Sequence, residues 1–108
     1  MFEVGQRWIS DTESDLGLGM VQEVTFRQVA ILFPVADEVR RYSKDQAPLT
    51  RIKFNIEDTV LLEDGSKLTI TEIQEMNGIL FYGDADRIIP ETQLSGQIQL
   101  SQASERLL

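Results

Sequence analysis

Apolar and polar residues trade places along most of this chain. In Arg27-Gln28-Val29-Ala30-Ile31-Leu32-Phe33 and Lys67-Leu68-Thr69-Ile70-Thr71-Glu72-Ile73 they alternate or run as short β-branched blocks, the period-two pattern of strands, with little sustained helical periodicity. Turn chemistry separates the runs: Glu63-Asp64-Gly65-Ser66 and Met76-Asn77-Gly78 offer Asp-Gly and Asn-Gly, which accept positive φ in tight hairpins. The pattern predicts strands near 5–9, 18–26, 28–33, 38–42 and 49–54, then over 58–63, 67–76, 78–83 and 97–101.

The pattern is written twice. Val21-Gln22-Glu23-Val24 and Val29-Ala30-Ile31-Leu32-Phe33 recur 49 positions later as Ile70-Thr71-Glu72-Ile73 and Gly78-Ile79-Leu80-Phe81-Tyr82, and Pro48-Leu49-Thr50 is echoed by Pro90-Glu91-Thr92. Such self-similarity indicates two copies of one small unit. We assign 1–54 to the first, 55–101 to the second and 102–108 to the start of a helix or linker. Units of about 50 residues lie at the margin of independent stability, so the two should lean on each other. Short strands, tight turns and no helix to cover a face imply an all-β fold of two small antiparallel sheets, each bent sharply on itself so that few edges stay exposed. Pro48 and Pro90 suit a turn before each last strand. The copies differ at one connection: twelve residues separate Trp8 from Val21 and nine separate Val60 from Ile70, so the first carries a longer arch, where a module commonly places specificity.

Charge sharpens that asymmetry. The net charge is −8, yet residues 1–55 hold eight acids and seven bases, whereas residues 56–108 hold ten acids and three bases. The summed field opposes a phosphate backbone and suits a basic partner surface. With no cysteine and no histidine, disulfides, thiol nucleophiles, the usual zinc ligands and the commonest general base are excluded. The N-terminus lacks the flank and apolar core of a signal peptide and nothing approaches a membrane span, so a soluble, cytoplasmic protein without membrane contact is expected.

Several constellations bear on chemistry. Gly17-Leu18-Gly19 lacks the lysine and hydroxyl of a phosphate loop and reads as a strand bend. Asp11, Glu13 and Asp15 lack the spacing of a calcium loop and read as a solvated arch. Trp8, Phe26, Phe33, Tyr42 and Tyr82 suggest an aromatic cage for a cation, but two small barrels need aromatic bulk, so core packing is the simpler reading. Arg40, Arg41, Lys44, Arg51 and Lys53 form the only basic concentration. It suits a protein contact or a solvated face, with weak, salt-sensitive nucleic-acid binding as the alternative. Asp64 and Glu72 have no evident nucleophile or metal partner.

The run Gly5-Gln6-Arg7-Trp8-Ile9-Ser10-Asp11-Thr12-Glu13-Ser14-Asp15-Leu16-Gly17-Leu18-Gly19, followed by Ile31-Leu32-Phe33-Pro34, resembles the N-terminus of the RapA (HepA) family of bacterial RNA polymerase-associated, Swi/Snf-type ATPases. Weaker similarity runs through Pro48-Leu49-Thr50-Arg51-Ile52-Lys53-Phe54-Asn55 and Asp58-Thr59 to Glu75-Met76-Asn77-Gly78-Ile79-Leu80, with departures from Asp84 onward. The resemblance implies two Tudor/KOW-like (SH3-like barrel) subdomains, a regulatory role restraining a downstream ATPase, and RNA polymerase as partner. It also implies that ATP and magnesium belong to a core outside this chain. The chain has no Gly-x-x-x-x-Gly-Lys-Ser/Thr loop and no Asp-Glu-Ala-His segment, so no catalytic, cofactor or metal residue is assigned. The expected function is a noncatalytic interaction module. Its candidate contact residues are Arg40, Arg41, Arg51 and Lys53 in the first copy and the acids Asp84 and Asp86 in the second.

Overall fold

The computed structural model describes residues 1–97. The expected strand near 97–101 and the segment 102–108 lie outside these residues, apart from Gln97. Among the described residues, ten strands and two single-turn 3₁₀ helices account for the regular structure, so the all-β expectation holds.

In the first unit, β1 (Arg7–Ser10), β2 (Gly19–Val24), β3 (Gln28–Phe33), β4 (Glu38–Ser43) and β5 (Leu49–Arg51) form one antiparallel sheet in the order β4-β3-β2-β1-β5. The continuous apolar run in β3 is explained by its central place: Val29, Ile31 and Phe33 are fully buried and pack with Val21 and Leu16. A bulge at Gln22 bends β2, so the sheet curls rather than lying flat.

The second unit repeats the strand order with a sharper bend. β6 (Thr59–Leu61) pairs with β7 (Lys67–Thr69), and β8 (Glu72–Met76), β9 (Ile79–Gly83) and β10 (Ile88–Pro90) form a separate three-stranded sheet. The single strand expected over 67–76 is therefore broken. Ile70 extends the first ladder, its N–H donating to Asp58 O at 2.9 Å, while Thr71 N–H opens the second by donating to Gly83 O at 2.8 Å. Both expected turns form, with Gly65 at φ 89°, Asn77 at 53° and Gly78 at 83°. Strand β10 was not anticipated. Its apolar pair Ile88-Ile89 is short, and the turn before it is held by Asp84, whose Oδ1 accepts the Asp86 and Arg87 N–H groups. After Pro90 comes a 3₁₀ turn, Glu91–Gln93, and Leu94 then forms an isolated bridge to Leu62.

The duplication holds in topology but slips in register. Val24 pairs with Val29, yet the residues 49 positions on do not pair: Ile73 faces Tyr82, and Gly78 lies in the turn. The slip preserves strand parity, and Phe33 and Tyr82 are both fully buried.

The units share a seam. The strand expected over 49–54 stops at Arg51, and Phe54 enters the second core, its ring 6.1 Å from that of Tyr82 and its N–H donating to Tyr82 Oη at 3.1 Å. Burial pushes the Tyr82 hydroxyl pKa up to about 12. The longer arch also reaches across. Ser10 Oγ accepts the N–H groups of Thr12 and Glu13, a 3₁₀ turn covers Ser14–Leu16, and Gly17 at φ 84° lets Leu18 N–H donate to Gly96 O at 2.8 Å. A Cβ on Gly17 would lie 2.7 Å from that carbonyl oxygen. Leu18 is buried in the second unit's core, so the arch clasps one unit to the other.

Candidate interaction surface

The seam is built on a charged network that the sequence reading missed. Arg7 lies on β1 at the same strand parity as Ile9, and a charge at such an inward position is the local signal of a buried pairing. Its guanidinium is fully engaged. Nε donates to Gly19 O at 3.0 Å, Nη2 to Leu18 O at 3.2 Å, and Nη1 to Leu94 O at 2.7 Å and Glu91 O at 3.2 Å. Burial pulls its pKa down to about 10 against the opposing pull of Glu91, which leaves it charged at neutral pH.

Glu91, wholly buried, receives four donors. Oε1 accepts Arg7 N–H at 2.9 Å and Arg51 Nη1 at 2.5 Å, and Oε2 accepts Arg51 Nη2 and Leu80 N–H, each at 2.6 Å. Bidentate pairing with Arg51 and two backbone donors satisfy a carboxylate that could not otherwise be buried. Gln6, also buried, adds a bond from Nε2 to Gly78 O at 3.0 Å.

The six sequence-derived contact candidates fall in three places. Arg51 belongs to the seam and its side chain is only 16% exposed. Arg40 and Arg41 lie on β4, where Arg40 pairs with Glu13 at 2.9 Å and Glu38 at 2.8 Å, and Arg41 with Glu23 at 3.0 Å. Hydrogen bonds to Glu38 and then Glu13 push the Arg40 pKa up. Asp84 serves the β9–β10 turn, whose backbone donors pull its pKa down, and Asp86 is exposed on that turn. Lys53 is exposed and lines an open groove of about 520 Å³ with Trp8, Arg51, Glu3 and Glu75. The structure thus brings Arg51 and Lys53 to one groove and leaves the others apart.

Chemistry is sparse. Among the described residues no cluster of His, Cys, Asp and Glu is arranged to hold a metal, and no helix is long and apolar enough to cross a membrane. The core reading of the aromatics fits Phe33 and Tyr82, while Trp8 is half-buried, stacked 4.5 Å from Phe2. It fails for Phe26, which is 88% exposed at the β2–β3 turn.

Comparison with known proteins agrees with this architecture. Residues 2–52 match the family described as RapA N-terminal Tudor like domain 1, and residues 54–108 match the RapA N-terminal Tudor like domain. The chain is similar to the RNA polymerase-associated protein RapA of Pseudomonas putida, 41% identical over 98% of this chain and 12% of the relative. It is 44% identical to that of Haemophilus influenzae over the same shares. For Proteus mirabilis the identity is 53% over 75% of this chain and 8% of the relative. The chain therefore spans about an eighth of the length of the curated relatives it matches. With both units matched in order, the chain belongs to the RapA family and corresponds to its N-terminal Tudor-like region.

Proposed function

We propose that this chain is a noncatalytic interaction module that docks on RNA polymerase and, within a longer protein, on an ATPase core that it restrains. Membership of the RapA N-terminal Tudor-like region carries this reading, because the relatives are named for association with RNA polymerase. The seam supports it physically: two units joined by buried charge and a shared core move as one body, so a contact on one can bias a contact on the other. Regulation is then a shift of population between a restrained and a released arrangement. ATP and magnesium are bound by the core, and the module supplies only surface. The acidic second unit suits a basic partner face.

Direct nucleic-acid binding through the basic cluster is the weaker reading, since Arg40, Arg41 and Arg51 are each paired with glutamates. The test is ATP hydrolysis by the full-length protein with and without residues 1–108. Deletion is expected to raise the basal rate and to reduce stimulation by polymerase. Equal rates in both conditions refute the regulatory role.

A further inference from the structure

Phe26 and Arg27 form the two-residue tip of the β2–β3 hairpin. The backbone beneath them is pinned: Thr25 N–H donates to Gln28 O at 2.9 Å, Thr25 Oγ1 accepts Gln28 N–H at 3.1 Å, and Lys44 N–H donates to Arg27 O at 2.9 Å. Lys44 Nζ adds a bond to Thr25 O at 3.1 Å. On this fixed platform the Phe26 ring is 88% exposed, with the Arg27 guanidinium 5.9 Å from its centroid.

Nothing in the fold needs a phenylalanine there. The corresponding tip of the second unit, Asn77-Gly78, carries the residues its turn demands and is occupied in cis: Gly78 O accepts Gln6 Nε2 at 3.0 Å and Arg51 Nη2 at 3.4 Å. A Cβ on Gly78 would lie 2.7 Å from Glu3 Cγ. One hairpin tip therefore docks inside the chain, and its counterpart presents an aromatic ring whose contact among the described residues is its own neighbour Arg27.

We propose that Phe26 is the anchor by which the first unit docks on RNA polymerase, the partner for which the relatives are named, its ring entering an apolar pocket rimmed by acidic residues that meet Arg27 and Lys44. The inference rests on the docking function proposed above and names the part of the surface that performs it. Charge defines the rim. In a chain of net charge −8, among the described residues neither Arg27 nor Lys44 is ion-paired, while the nearby Glu23 is held by Arg41 at 3.0 Å. A protein is favoured over a phosphate backbone because two cations against that net charge give little electrostatic affinity. A ring carried on a backbone already held by hydrogen bonds spares the partner the cost of ordering the turn, and buried aromatics are among the residues that dominate interfaces.

The test measures equilibrium binding of the chain to purified RNA polymerase and, separately, to the remainder of the full-length protein supplied in trans. Wild type, Phe26→Ala, Phe26→Trp and Arg27→Glu are compared, with thermal unfolding of each variant confirming an intact fold. Phe26→Ala is expected to weaken binding to RNA polymerase by at least about 10-fold, Phe26→Trp to retain it, and Arg27→Glu to weaken it most at low salt, whereas a loss confined to the remainder of the protein overturns polymerase as the occupant. Wild-type binding that Phe26→Ala leaves unchanged overturns the anchor and spares the docking function. Absence of wild-type binding to both partners overturns the two together. Loss in Phe26→Ala of binding to a fluorescent single-stranded oligonucleotide, with both protein affinities unchanged, assigns the ring to nucleic acid and overturns the protein occupant.

Discussion

The seam and strand β4 hold the same kind of ion pair in opposite surroundings. Arg51 meets Glu91 at 2.5 Å with side chains 16% and 0% exposed, whereas Arg40 meets Glu13 at 2.9 Å with 37% and 47% exposed. In the first, the Glu91 carboxylate is shut off from water and its remaining valences are filled by backbone N–H groups from Arg7 and Leu80. In the second, solvent competes for each charge. Separation alone therefore says little about what a pair does. A desolvated pair ties the positions of two elements together, because losing one partner strands the other without water. A solvated pair holds its partners loosely and leaves the face open to exchange.

Three substitutions put that contrast at risk. The largest effect is expected for Glu91→Ala, which leaves the Arg51 guanidinium and two backbone N–H groups without their acceptor; about 3–5 kcal/mol of unfolding free energy should be lost in urea titrations. A loss below about 1 kcal/mol would show that the seam is plastic and that water repairs it. Next comes Leu18→Ala, which removes an arch side chain from the second unit's core and is expected to cost about 2–4 kcal/mol. Probes placed in each unit should still report one transition; two resolved transitions would mean that the clasp is incidental and the units fold separately. The smallest effect belongs to Arg41→Ala on β4, whose partner Glu23 stays hydrated when left alone. A change of about 0.5 kcal/mol or less, shrinking further in salt, is expected from thermal melts. A larger loss would erase the distinction between the two regions.

Much of the fold was legible in the residues. Alternation located most strands because inside and outside alternate with every residue, and Asn77-Gly78 and Asp64-Gly65 announced their turns because few other pairs accept that backbone. Strand β10 escaped because three residues carry too little periodicity, and the break at Ile70-Thr71 escaped because a strand passing between two sheets keeps its alternation. The site was less legible. Arg51 is recognisable as a base, but nothing local says that its partner lies 40 residues away. Phe26 defeats the rule that aromatics are buried, because one residue at a hairpin tip escapes the parity its strands obey.

The sequence by itself determined an all-β chain made of two related units with unequal charge, since periodicity, turn chemistry and composition are local quantities. Tertiary structure alone decided how those units join and which charges remain available. Arg7 and Glu91 are separated by 84 positions, and the hydrogen bonds between them, from Arg7 N–H to Glu91 Oε1 and from Arg7 Nη1 to Glu91 O, depend on the two curled sheets excluding water from the same small volume. Desolvation at that point makes one glutamate a strut of the molecule, while others with the same side chain remain solvated on its surface.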